Sequence, residues 1–411
     1  MQTSPISGGA NRIDLIRPDA PALAAFGEYA IGVRTDRLVH PDQIDVRNVT
    51  ETLEPRYDRP LVLEIWYPAV ADTTAGTQYH TLIRDGVTKT TLTGRACREA
   101  VAPNGRFPLV ILSHGYPGNR LLMAHLGENL ASKGYVVAAI DHTDSLYEDY
   151  GDFGSTLVNR PLDQRFAIDA LNDPIHPLAG ITDTENVAVI GYSMGAYGAL
   201  VFGGAGVSQV AVDFDGGAPQ GLLAGHMAGS RTLAGLVDPR VKCIVPIGPW
   251  GAQRGVWQNG GLAGLAKPAL IIGGSRDVTS GYRDGIRRIF EQAKGTQRHL
   301  LTFEGAGHNA AAPIPAPVES WIESEALGFS PFEHYADTIW DNVRMNNIAQ
   351  HFVAAFLGLH LKADSEMAAY LGLTQGTPDP SFAPIPDGAD WPGFPAGSTL
   401  GLRFETLAKG M

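Results

Sequence analysis

The sequence predicts an α/β architecture, a mostly parallel central sheet flanked by helices, on three observations. Nearly continuous apolar runs recur along the chain, separated by stretches with helical spacing, and runs of that kind read as strands buried on both faces. The segment Gly191-Tyr192-Ser193-Met194-Gly195 falls where one such run turns into a helix. The 411 residues are 44% apolar and only 18% charged, which supports a large core and argues against extended disorder.

Taken in order, residues 1–27 read as an N-terminal arm rich in Pro, Gly and Ser at its start. Strand signals follow at 30–39 and 61–69, the second alternating Leu61, Leu63, Ile65 and Tyr67 against Val62, Glu64 and Trp66. The buried strands are placed at 107–112, 135–140, 186–190, 241–247, 268–273 and, last, 299–303. Helices are expected at 120–133, 160–172, 194–202, 282–293 and 336–357, with Gly134 closing the first as a C′ glycine. In the last helix Ile339, Val343, Ile348, Phe352 and Phe356 form a stripe at helical spacing that reads as core. One domain over 28–362 therefore carries insertions near 146–159, 205–238 and 311–333, which are expected to form a cap. A Pro/Gly-rich tail, 363–411, is expected to pack on that domain through Trp391 and Phe394.

A net charge of −12 with no Lys/Arg run leaves no basic footprint for nucleic acid. No stretch reaches the roughly 18 apolar residues of a membrane span. The start, MQTSPISGGANRIDL, lacks a basic segment followed by an apolar one. The expected location is thus cytoplasmic, although a processed secreted chain would look the same. Cys243 lies in an apolar run and reads as a buried free thiol, with pairing to Cys97 left open. No oligomeric state is assigned.

The chemistry gathers around Ser193. A strand–turn–helix setting with flanking glycines allows a strained turn that lifts the hydroxyl out of the backbone. A serine hydroxyl needs a base, and the chain order of such sites is Ser, acid, His. His308, in Gly305-Ala306-Gly307-His308-Asn309 just past the last apolar strand, is the candidate base. Asp277 follows the strand 268–273 and is the candidate orienting acid, with Asp213 and Asp215 as rivals. An oxyanion hole would use the amides of Met194 and Tyr116, since Pro117 has no N–H. His114, Tyr147, Tyr150 and Phe153 are candidate pocket residues. No zinc-protease or paired Cys motif and no phosphate-binding loop is present, so neither metal nor cofactor is called for.

With these residues in hand the chain resembles the α/β-hydrolase superfamily over about residues 28–360. Its features are LEIWYPA (63–69), PLVILSHGYPGNR (108–120), YVVAAIDHTDS (135–145), RPLDQRFAIDAL (160–171) and IGYSMG (190–195). They look most like dienelactone-hydrolase-like esterases and plasma-type platelet-activating-factor acetylhydrolases. LASKGYVVAAID (130–141) and ALIIGGSRD (269–277) are similar to cutinase-type polyester hydrolases. That second likeness favours Asp277 as acid, Tyr116 and Met194 at the oxyanion hole, and Trp250 as a subsite tryptophan. Dienelactone hydrolases proper use a cysteine where Ser193 stands, so dienelactone is not the expected substrate. The resemblance implies a serine hydrolase acting on a small-molecule carboxylic ester. The same triad could serve an amidase, thioesterase or lipase-like polyester hydrolase, and a catalytically silent binding protein is the more distant alternative.

Overall fold

The apolar runs assemble into one twisted sheet in a computed structural model that describes residues 11–151, 153–258, 260–373 and 391–411. The first ten residues of the arm and 374–390 of the tail lie outside the described residues. The strands are β1 (Ala30–Ile44), β2 (Arg56–Ala69), β3 (Gln78–Leu82), β4 (Lys89–Thr93), β5 (Cys97–Arg98) and β6 (Phe107–Ser113). They continue with β7 (Val136–Asp141), β8 (Thr182–Tyr192), β9 (Val241–Ile247), β10 (Ala269–Gly274), β11 (Arg298–Phe303) and β12 (Leu402–Leu407). Among the described residues ten of them form a sheet in the order β12-β11-β10-β9-β8-β6-β7-β2-β1-β5, and β3 pairs with β4 apart from it. The central strands β7, β6, β8, β9, β10 and β11 run parallel to one another. Antiparallel pairs flank them, β2 with β7 and β1 on one side and β12 with β11 on the other.

Parallel pairing in register puts alternate residues on opposite faces, so each strand feeds two cores. Val110 and Leu112 of β6 with Ala188 and Ile190 of β8 face α1 (Ala124–Ser132) and the C-terminal helix Asn342–Leu361. Leu109 and Ile111 with Val187 and Val189 face α2 (Phe153–Asn172) and α3 (Met194–Phe202). Fully burying each of these Val, Leu and Ile side chains contributes about 1.5–3 kcal/mol, which is why nearly continuous apolar runs hold this position. Gly134, at φ +83, stands just past α1 and ends it as the sequence suggests.

Four differences from the sequence reading follow from tertiary contacts. The last strand is not 299–303, because the tail returns as β12 and pairs antiparallel with β11. That return buries Trp391 and Phe404 against Phe352 of the C-terminal helix. The C-terminal helix starts at Asn342, capped by the Asp341 side chain, and Ile339 is 70% exposed and outside the stripe. The segment 146–159 is not all insertion, since α2 begins at Phe153. The β3–β4 hairpin was invisible because its residues are mostly polar, threonines among them, and only Tyr79 and Leu92 are apolar and fully buried. Cys97, half-buried in edge strand β5, and Cys243, buried in β9, are both free thiols. Among the described residues no helix is long and apolar enough to cross a membrane.

Candidate active site

Loops at the carboxyl ends of β6, β8, β10 and β11 converge on Ser193, as the switch-point rule for open parallel sheets requires. Ser193 links β8 to α3 with φ 53 and ψ −109, a conformation that L residues seldom adopt. Two close approaches hold the turn and demand glycine on either side. A Cβ on Gly191 would lie 2.2 Å from the Gly195 carbonyl carbon, and one on Gly195 would lie 1.9 Å from the Ser113 oxygen. The Ser193 amide donates to the Ile247 carbonyl at 2.9 Å, and its own carbonyl accepts from Tyr197 at 3.0 Å and Trp250 at 3.3 Å.

His308 reaches the elbow from the loop after β11. Its Nε2 lies 3.0 Å from Ser193 Oγ, and its Nδ1 lies 2.8 Å from Asp277 Oδ2. Asp277 is buried, and its other oxygen accepts the amides of Thr279 at 2.9 Å and Ser280 at 2.8 Å. A carboxylate on Nδ1 assigns the proton to that nitrogen and leaves the Nε2 lone pair for the serine hydroxyl. The base loop is itself braced. Asp337 accepts the Gly307 amide at 2.6 Å, Asn309 accepts the Tyr192 hydroxyl at 2.9 Å, and Asn309 donates to the Glu333 and Ala336 carbonyls at 2.7 and 2.8 Å.

Ser193 and His308 open into a cleft of about 590 Å³, walled by Tyr116, Tyr192, Val278, Phe332 and His334 among others. Burial, with Arg84 and His308 nearby, pushes the His334 imidazole down to about 3, so it is neutral at ordinary pH. Its Nε2 lies 2.9 Å from the Tyr147 hydroxyl. Sequence reasoning missed the 332–338 stretch of this wall. Only the expectation of a cap over 311–333 pointed near it.

The remaining candidates are spread over several places. Met194 opens α3, so its amide is one of those a helix start leaves without an intrahelical acceptor. Tyr116 follows Gly115, where a Cβ would come within 3.4 Å of Ser193 Cβ. Trp250 packs edge-on to Phe153 at 4.9 Å, and Phe153 to Tyr116 at 5.4 Å, forming an aromatic group beside the elbow. Tyr150 is 43% exposed, edge-on to Tyr116 at 6.1 Å. Tyr147 and His114, taken as pocket residues from the sequence, are buried; neither is in the cleft wall, because each is fastened inward, Tyr147 to His334 and His114 to Gly115. Asp213 and Asp215 are exposed and follow a short helical turn, Gln209–Val212, rather than a strand. Asp213 accepts from Gln209 at 2.9 Å, whereas Asp277 holds His308.

Beneath the β6 loop lies a buried charge network that the sequence did not disclose. Ser113 Oγ is 2.8 Å from His142 Nε2, and His142 Nδ1 is 2.9 Å from Asp163 Oδ2. Arg59 grips both Asp163 oxygens at 2.9 and 3.0 Å. Burial alone would raise the Asp163 carboxyl, but Arg59 and His142 outweigh it and hold it well below the usual range. Burial, with Arg160 adding to it, pushes His142 down to about 3. Among the described residues no group of three or more His, Cys, Asp or Glu side chains is placed to hold a metal ion.

A family model described as "Platelet-activating factor acetylhydrolase, isoform II" matches residues 70–147, a stretch that takes in the β6 loop and stops short of Ser193. The chain is 26% identical over 208 residues to cutinase est2 of Thermobifida alba, covering 50% of this chain and 54% of that protein. It is 25% identical over 245 residues to the platelet-activating factor acetylhydrolase of Cavia porcellus, covering 50% of this chain and 48% of the relative. The chain thus spans about half the length of the curated relatives it matches. A solved ferulic acid esterase from Streptomyces cinnamoneus superposes with a TM-score of 0.59 at 21% identity, over 86% of this chain and 94% of that one. The chain has the α/β-hydrolase fold. In this sheet the antiparallel β12, drawn from the tail, adds a strand beyond β11, whose following loop carries His308.

Proposed function

We propose that the chain hydrolyses carboxylic esters through an acyl-enzyme formed on Ser193. The observation that carries the reading is the 3.0 Å approach of His308 Nε2 to Ser193 Oγ at the mouth of an open cleft. His308 takes the hydroxyl proton as the oxygen attacks the ester carbonyl, and the resulting oxyanion is received by the amides of Tyr116 and Met194. His308 then returns the proton to the leaving alcohol, and the acyl group stays on Ser193. Water, deprotonated by the same imidazole, releases the acid and restores the serine. Asp277 keeps the proton on Nδ1 throughout and stabilises the imidazolium. Similarity to proteins named cutinase, acetylhydrolase and ferulic acid esterase supports an ester as the substrate.

The test is a panel of aryl esters of increasing acyl length, run beside the matching amides on the intact chain and on Ser193→Ala. Ester turnover well above amide turnover is expected, with the serine variant at least about 10⁴-fold slower and still folded. Near-parental ester turnover in Ser193→Ala would sink the mechanism, and a preference for amides would move the substrate class.

A further inference from the structure

The Tyr116 amide that would receive the oxyanion belongs to the same peptide unit as the Gly115 carbonyl. That peptide is trans, so its C=O and N–H point in opposite directions, and whatever holds the carbonyl aims the amide. Two donors hold it. Arg160 Nη2, reaching in from α2, donates to the Gly115 oxygen at 2.8 Å, and His114 Nδ1 donates at 2.7 Å. A carbonyl only accepts, so His114 carries its proton on Nδ1, and its Nε2 is left to accept the His142 amide at 3.2 Å. Burial, with Arg160 beside it, keeps this imidazole neutral.

The other bonds of Arg160 go to neutral acceptors as well. Nη1 donates to the His114 carbonyl and, at 3.4 Å, to Ser113 Oγ, and Nη2 donates to Ser145 Oγ at 2.6 Å. Arg160 is 1% exposed, and among the described residues no carboxylate forms an ion pair with it. Asp163, one turn along α2, is already held by Arg59 and His142. The network therefore keeps a guanidinium out of water and unpaired, directly behind the peptide next to Ser193. Burial pushes it down to about 9, partly opposed by the attraction of Asp163, so it is charged at neutral pH. A neutral amide side chain could brace a carbonyl without the desolvation that a buried charge entails. A buried cation is favoured where negative charge develops nearby, and a tetrahedral oxyanion supplies that charge.

We propose that Arg160 is a positioning residue of the oxyanion hole. It aims the Tyr116 amide and, by polarising the Gly115–Tyr116 peptide, makes that amide a stronger donor to the oxyanion. The proposal rests on the reading of Ser193 as nucleophile. A charged donor on the carbonyl strengthens the N–H on the far side of the peptide, and the low dielectric of the buried loop preserves the effect. Because the ester carbonyl bears little charge before attack, the contribution falls on kcat rather than KM.

The test compares the intact chain with Arg160→Gln, which keeps a neutral donor, and Arg160→Lys, which keeps the charge without the fork. Steady-state kinetics are read beside fluorine NMR of the hemiketal that a trifluoromethyl ketone forms on Ser193. In Arg160→Gln, kcat should fall about 10- to 100-fold with KM changed less than about threefold. Its hemiketal hydroxyl should titrate about one pH unit or more higher than in the intact chain. Arg160→Lys should lose less and titrate close to the intact chain. Parental kcat and titration in Arg160→Gln, or a folded Arg160→Lys as impaired as Arg160→Gln, would overturn the proposal. Should Arg160→Gln fail to fold, the titration of Arg160→Lys decides alone, since an upward shift of a full unit contradicts a role for the charge. In the intact chain the hemiketal must titrate below the hydrate of the free ketone, and failure there overturns the proposal whatever the variants do. If the intact chain forms no adduct on Ser193, the nucleophile reading fails instead.

Discussion

The molecule holds two Ser–His–Asp arrays of nearly the same dimensions. In one, Ser193, His308 and Asp277 are linked at 3.0 and 2.8 Å; in the other, Ser113, His142 and Asp163 are linked at 2.8 and 2.9 Å. Hydrogen-bond lengths do not distinguish them, but backbone and access do. Ser193 stands on a strained turn at φ 53 and faces a cleft, whereas Ser113 is the last residue of a regular strand and has no exposed surface. His142 also has Arg160 and Arg59 close by, which disfavour its protonation along with burial, so it is poorly suited to accept a proton from its serine. A nucleophile is therefore defined by the turn that presents it and the space before it. The second array braces the loop that carries Tyr116.

The largest effect that would break this contrast comes from the acids. Asp277→Asn should lower kcat about 10⁴-fold by favouring the wrong His308 tautomer while the fold persists. Asp163→Asn takes from Arg59 one of its two buried carboxylates, leaving only Asp144 at 3.0 Å, and should show first as a lowered Tm. Matched losses of kcat at equal stability in the two variants would erase the distinction.

A sharper test uses pH. The buried histidines His142 and His334, at about 3, and His125, at about 4, stay neutral in the folded chain, while in the unfolded chain they titrate near the ordinary value of about 6.5. Below that value the unfolded state binds more protons, so stability falls as pH falls, by up to about 1.4 kcal/mol per unit for each such histidine. Thermal melts from pH 7 down to 4 should show a steep decline. A flat Tm across that range would contradict the neutral assignments.

The smallest effect is expected at Ser113→Ala. Removing that hydroxyl leaves His142 Nε2 without its donor and should cost about 1–3 kcal/mol of stability. Turnover should stay within the parental order of magnitude, checked by urea unfolding and ester kinetics on the same samples.

These contrasts also explain what could be read from the chain before its structure. The central sheet was legible because strands such as Leu109–Leu112 and Val187–Ile190 are apolar without interruption, which only burial on both faces sustains. The elbow was legible because its serine and both glycines fall within five consecutive residues directly after an apolar strand, although the approach that demands Gly195 comes from the distant Ser113 carbonyl. The brace under the β6 loop was not, because Arg59, Ser113, His142 and the Arg160 and Asp163 of α2 come from four separate segments. Each alone looks like an ordinary polar residue at the end of a strand or on a helix. The strand β12 was hidden for a similar reason, since Leu402, Phe404 and Leu407 gain their meaning only from the β11 edge they cover. The cleft wall at Phe332 and His334 depends on Asn309 and Asp337 joining two distant loops, and no local pattern announces it.

One measurement bears most directly on the contrast between the two serines. The intact chain is treated with a fluorophosphonate, digested, and the modified residue located by mass spectrometry. The account predicts stoichiometric modification of Ser193, none at Ser113, and none in Ser193→Ala. An adduct on Ser113, or undiminished labelling of Ser193→Ala, would contradict it.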